Sequence, residues 1–128
     1  MKDTQKVIYI AGPISGVKNY WEAFEQAEDD ITACGHIALS PARLPEGMTN
    51  AQYMRTCFAM IDCADAVLFL TDFEQSEGAL LERGYCKYIG KPGIPHRRFE
   101  NSVLGRVENP TGVRVEWLKH QLREVFGE

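Results

Sequence analysis

Long hydrophobic runs are missing from this sequence. The first apolar stretch, Val7 to Ile14, is broken by Gly12-Pro13, so it resembles neither a secretory leader nor a membrane span. A soluble, cytoplasmic chain is expected. An excess of positive charge is missing too: 14 Lys and Arg stand against 18 Asp and Glu, for a formal net charge of −4. With Arg97-Arg98 as an isolated basic pair and no basic stripe, a nucleic-acid polymer is not an expected partner. The four cysteines, Cys34, Cys57, Cys63 and Cys86, form no C-x-x-C pair and no disulfide framework. Each sits in an apolar, helix-like context and reads as a buried, reduced thiol. His36, His96 and His120 lack ligand spacing, so no metal is expected. There is no G-x-G-x-x-G fingerprint and no Walker loop, which excludes the usual nicotinamide and nucleoside-triphosphate motifs, and no cofactor is expected. Repeats, low-complexity tracts and linkers are absent, and 128 residues suffice for one domain with its own core.

What is present alternates between short β-rich runs and amphipathic helical patterns. Lys6 to Ala11 is nearly all apolar, as in a central parallel strand covered on both faces. It enters the turn Gly12-Pro13-Ile14-Ser15-Gly16. Asn19 then suits the cap of a helix over 20–34, with Trp21, Phe24, Ala27 and Ile31 at helical spacing and Gly35 as its terminator. A second short strand is expected over 36–39. A proline-stiffened loop over 40–47 and a helix over 50–63 follow, with Tyr53, Met54, Cys57, Met60 and Ile61 on its apolar, core-packing side. Ile94-Pro95-His96 makes a poor strand because proline lacks a ladder donor. The stretch from Gly93 to Gly112, Ser102-Val103-Leu104 included, has no clear pattern and suits a flap or a partner contact. Val113 to Phe126 reads as a terminal helix with Val115, Leu118, Leu122, Val125 and Phe126 on one face.

The chain is organised around the apolar run Ala64 to Leu70, the acidic loop Thr71 to Gln75 and the helical pattern that begins at Ser76. Ser76 suits an N-cap, and Gly78-Ala79 leaves the first turn uncrowded. Spacing alone reads Glu82 as a surface carboxylate paired with Arg83 or Lys87. The order of elements, however, specifies a three-layer α/β fold: a Rossmann or flavodoxin-like parallel sheet flanked by helices. Right-handed crossovers then bring the loops after Ala11 and Leu70 to one edge of that sheet, where ligands of such folds bind. The glycine turn and the segment carrying Ser76 and Glu82 are expected to face each other across one pocket.

Tyr9-Ile10-Ala11-Gly12-Pro13-Ile14-Ser15-Gly16, the helix through Tyr53-Met54, and Cys63-x-Asp65 followed by Ser76-x-Gly78-Ala79-x-x-Glu82 together resemble the nucleoside 2-deoxyribosyltransferase superfamily, over about residues 6 to 92. The likeness is nearest to a small phage and bacterial branch close to the nucleotide N-hydrolases. The resemblance implies that Glu82 attacks the anomeric carbon to form a glycosyl-enzyme, that Tyr9 lies beside it, and that Gly12 to Gly16 line the sugar pocket. It also implies a homodimer or higher homo-oligomer, with a neighbour completing the pocket; the Trp117 face suits such a contact. Base-exchanging transferases of the superfamily carry aspartate at the position of Ser76, and the nucleotide N-hydrolases carry serine. A hydroxyl donates to a 5′-phosphate that a carboxylate would repel, so Ser76 tilts the reading towards a nucleoside 5′-monophosphate.

Two positions depart from the superfamily pattern. Cys57 stands where active relatives place the aspartate that assists the leaving base, which leaves Asp72, Glu74 or a substrate group for that work. In the glycine turn, nucleotide-binding relatives have polar or basic residues, whereas this chain has Pro13 and offers only Ser15, with Lys18, Arg43 and Arg55 as compensating charges or plain surface residues. The residue types fit the chemistry, because cleavage of an N-glycosidic bond develops positive charge at the sugar that a carboxylate stabilises and captures. The expected activity is an N-glycosidase, or the related base-exchange transferase, acting on a (deoxy)nucleoside or its 5′-monophosphate. The alternatives are a catalytically silent nucleotide-binding protein, which the departure at Cys57 favours, and a partner-binding domain. Tyr20 or Phe73 suits base stacking as well as packing; Trp21 and Trp117 suit helix packing. Asp65 suits capping of the strand entrance.

Overall fold

The computed structural model describes residues 5–14, 17–70, 73–96 and 110–127. Four strands, β1 (Val7–Ala11), β2 (Ile37–Leu39), β3 (Ala66–Phe69) and β4 (Gly93–Pro95), form one sheet in the order β2-β1-β3-β4. All pairs are parallel, with Tyr9 opposite both Leu39 and Val67 and with Leu68 opposite Ile94. Because β2 and β3 lie on either side of β1, the direction of winding reverses at β1. Right-handed crossovers therefore put α1 (Tyr20–Ala33) on one face and α2 (Asn50–Cys63) on the other. Helix α3 (Glu77–Ile89) joins α2, and the terminal α4 (Pro110–Phe126) joins α1.

The three layers follow from side-chain alternation in strands whose neighbours cover both faces. Ile8, Ile10, Ala66 and Leu68 pack against Phe24, Ala27 and Ile31 of α1 and Leu118 and Leu122 of α4. Tyr9, Ala11, Val67 and Phe69 face the other way, onto Cys57 and Ile61 of α2 and Cys86 of α3. All four residues of β3 are buried, and each large aliphatic residue among them stabilises the fold by about 1.5–3 kcal/mol through area removed from water. Asp65 holds the entrance of the sheet, accepting the Val7 amide at 2.8 Å across the β1–β3 seam.

Local chemistry sets the helix starts. Thr49 and Gln52 form a reciprocal capping box for α2, and Ser76 Oγ accepts from the Ala79 amide at 3.2 Å at the head of α3. Asn19 does precede α1, but in a left-handed conformation (φ 56°) with no side-chain cap bond, so it turns the chain rather than capping it.

Four further expectations are corrected. Gly93–Pro95 is a true parallel strand, because among the described residues β4 lies at the sheet edge and the residues on either side of Pro95 carry the ladder: His96 N–H donates to Phe69 O at 2.6 Å. Trp21 is half exposed rather than packed in a helix interface: it lies in the first turn of α1, ahead of the buried stripe that begins at Phe24. Met54 leaves the core-packing side of α2 for a cavity wall, described below. Cys63 is exposed and Cys34 only partly covered, whereas Cys57 and Cys86 are buried; Cys63 ends α2, where the helix leaves the sheet. Ser102-Val103-Leu104 and Arg97-Arg98 lie outside the described residues.

Candidate active site

Gly12 leaves β1 against the end of β3. A Cβ there would lie 2.6 Å from Leu70 Cδ1, so only glycine lets these two strand ends close together, with Leu70 N–H donating to Ala11 O at 2.8 Å. Beyond that seam opens a cavity of about 520 Å³, within the range of small-molecule sites. Its position is the switch point of the sheet, where crossovers diverge and leave a crevice at the carboxyl ends of the strands.

Glu82 lies in the wall of this cavity. It sits on the second turn of α3, is 5% exposed, and accepts a hydrogen bond from Tyr9 Oη at 2.6 Å. Tyr9 is fully buried in the middle of β1, so the phenol approaches from a rigid strand. Cys57, one helix away on α2, lies beside both groups in the same wall and interacts electrostatically with each. The surface ion pair expected from spacing alone is therefore overturned. Arg83 instead lies over the Phe73 ring, 5.5 Å from its centroid.

Burial dominates the electrostatics. Desolvation lifts the Glu82 carboxyl to about 7, against the opposing pull of the hydrogen bonds from Tyr9 and Cys57. Desolvation also pushes the Cys57 thiol up to about 11; its hydrogen bond with Tyr9 works against that rise and the nearby Glu82 charge adds to it. Burial, then the charge of Glu82, holds the Tyr9 phenol far above its ordinary value, so it stays a proton donor. A carboxyl poised near neutral pH beside a fixed phenol donor suits a group that changes charge or bonding during a reaction.

Of the residues expected at the site, Tyr9, Gly12, Ile14, Cys57, Ser76, Gly78 and Glu82 line the cavity together. Pro13 is buried at the end of β1 and does not line it. Ser15, Gly16 and Asp72 lie outside the described residues. Tyr20 reaches the cavity, whereas Phe73 packs on Phe69 with ring centroids 5.1 Å apart. Sequence reasoning missed Glu46, Asn50, Glu77 and Leu81, and placed Tyr53 in the core. Tyr53 Oη donates to Pro45 O at 2.6 Å and so fixes the loop that brings Glu46 to the rim. The signal for Tyr53 was a phenol at the start of a helix beside a proline loop; Glu46 and Asn50 had none.

The fold is that of a nucleoside 2-deoxyribosyltransferase. The 2-deoxyribosyltransferase of the psychrotolerant bacterium Bacillus psychrosaccharolyticus superposes with a TM-score of 0.59 at 20% identity, over 84% of this chain and 90% of that one. A conserved protein from Enterococcus faecalis V583 superposes with a TM-score of 0.58 at 13% identity, over 96% and 98% of the two chains. Within that fold the chain belongs to the family described as a domain of unknown function (DUF4406), whose model matches residues 6–94. No curated protein is significantly similar in sequence.

Proposed function

We propose that this protein is an N-glycosidase, or the related base-exchanging transferase, that cleaves the N-glycosidic bond of a (deoxy)nucleoside or its 5′-monophosphate through a glycosyl-Glu82 intermediate. The observation that carries this reading is the buried Glu82–Tyr9 pair on the wall of a cavity at the switch point of the sheet. The likeness in fold to a 2-deoxyribosyltransferase supports it.

In this reading the Glu82 carboxylate forms a bond to the anomeric carbon as the bond to the base breaks. The electron pair of that bond goes to the departing nitrogen, which takes up a proton. Water then adds to the anomeric carbon, the ester to Glu82 breaks, and a proton is released, so the enzyme returns unchanged; a second base in place of water gives transfer. Tyr9 positions the attacking oxygen and holds part of the population ionised despite burial. Cys57 lies beside the carboxylate but is too weak an acid to protonate a departing base, which leaves that proton to water or to another carboxyl, Asp72 or Glu74 among them.

Cys57 also favours a second reading, in which the protein binds a nucleoside without turning it over. One experiment separates the two. The protein is incubated with a panel of (deoxy)nucleosides and their monophosphates, and free base is followed by chromatography. Base release that disappears in Glu82→Gln supports the glycosidase. Calorimetric binding without release supports the binding protein. Release that persists undiminished in Glu82→Gln rules Glu82 out as the nucleophile.

A further inference from the structure

We propose that the cavity selects the unphosphorylated nucleoside and rejects its 5′-phosphate, an inference that rests on the nucleoside reading above. Three glutamates, Glu46, Glu77 and Glu82, line the cavity, and among the described residues no Lys, Arg or His does. A phosphate would bring nearly two more negative charges against those carboxylates; Glu46 and Glu77 are exposed at the rim, so their repulsion is one that salt screens.

The compensating cations that the sequence offers do not reach this space. Lys18, Arg43 and Arg55 are all absent from the lining, and Arg43 is taken up by Glu28, with Nη2 2.6 Å from Oε1. The head of α3 is likewise already supplied with acceptors. Ser76 Oγ accepts from the Ala79 amide, and Glu77, the first residue of the helix, puts a carboxylate at the positive end of the helix dipole. Ser76 keeps one hydroxyl proton to donate, which suits a neutral 5′-hydroxyl. Its hydroxyl alone pointed to a phosphate; its surroundings reverse that expectation. Tyr20, Tyr53 and Asn50 supply uncharged faces and hydrogen-bonding groups for a sugar and a base.

Matched pairs of each nucleoside and its 5′-monophosphate test the inference, with base release measured at low and high ionic strength. At low salt, kcat/KM for the nucleoside is expected to exceed that for the monophosphate by at least roughly tenfold, and the gap to narrow as salt rises. The double variant Glu46→Gln/Glu77→Gln is expected to narrow the same ratio several-fold at low salt. Monophosphates cleaved as fast as the nucleosides, or faster, overturn the charge selection and leave the Glu82 mechanism standing. If neither is cleaved, the glycosidase reading fails, and calorimetric titration of the same pairs decides the charge question. Nucleoside binding with monophosphate binding at least roughly tenfold weaker upholds it. Equal or tighter monophosphate binding, or no binding of either, overturns it.

Discussion

Asp30 and Glu82 are both buried carboxyl groups, 1% and 5% exposed, on opposite faces of one sheet. Their surroundings differ in kind. Asp30, in the α1–α4 layer, meets Arg114 Nε at 3.2 Å and His96 Nε2 at 3.2 Å through its Oδ2, so a cationic partner answers its charge. Glu82, in the α2–α3 layer, has among the described residues no cation beside it, only the phenol of Tyr9 and the neutral thiol of Cys57, and faces an open cavity. A carboxylate that serves the fold is given a counter-charge, because an unpaired buried charge costs several kcal/mol. A carboxylate left beside a cavity without one is a cost that folding alone does not explain, and such exceptions concentrate where chemistry is done.

Breaking each side of this contrast gives different outcomes. The largest effect falls on activity: Glu82→Gln keeps the shape of the side chain but removes the nucleophile, and base release is expected to drop by roughly a thousandfold or more in a steady-state assay. Next comes stability on the opposite face. Asp30→Ala leaves the Arg114 guanidinium buried without its carboxylate, with Thr111 Oγ1 accepting from its Nη2 at 3.4 Å, and should cost about 3–5 kcal/mol in urea denaturation.

The same Glu82→Gln variant is expected to be more stable than the parent at pH 8, by roughly 3 kcal/mol. The folded Glu82 carboxyl is raised to about 7, so the native state holds its proton more tightly than the unfolded chain does. Its contribution to stability is then most favourable below the unfolded value near 4.5 and is lost as pH rises towards 7. The gain on substitution should accordingly fade by pH 4.5; a gain that is the same at both pH values would separate it from the carboxylate. The smallest effect sharpens the contrast without removing the carboxyl. Tyr9→Phe deletes the 2.6 Å donor that opposes desolvation, and the acid limb of kcat/KM, expected near pH 7 because the nucleophile must be ionised, should move up by about one unit.

The architecture was largely legible because its signals are local. Continuous apolar runs marked β1 and β3, and the helix over 50–63 falls on the residues that form α2. Where the sequence misled, a neighbour distant in the chain decided the outcome. Pro95 argues against a strand until β4 is known to be an edge. Trp21 looks like a packing residue until the stripe through Phe24 is known to be enough. Glu82 has an ordinary surface pattern, and only Tyr9, 73 residues earlier, and Cys57 make it a buried group. The resemblance to a known family supplied that pairing; periodicity alone could not. Glu46 and Asn50 reached the cavity wall through a loop fixed by Tyr53, a tertiary detail with no counterpart in local spacing.

The rims of the sheet bear on how copies of the chain can meet. One border strand, β2, has three residues, and the other, β4, has three and finishes on a residue that has no amide hydrogen to offer. Among the described residues this leaves too little free backbone for a neighbouring molecule to add a strand of its own. Growth by continuous sheet extension, the route to fibrils, is thereby discouraged, and self-association is steered to the helical layers.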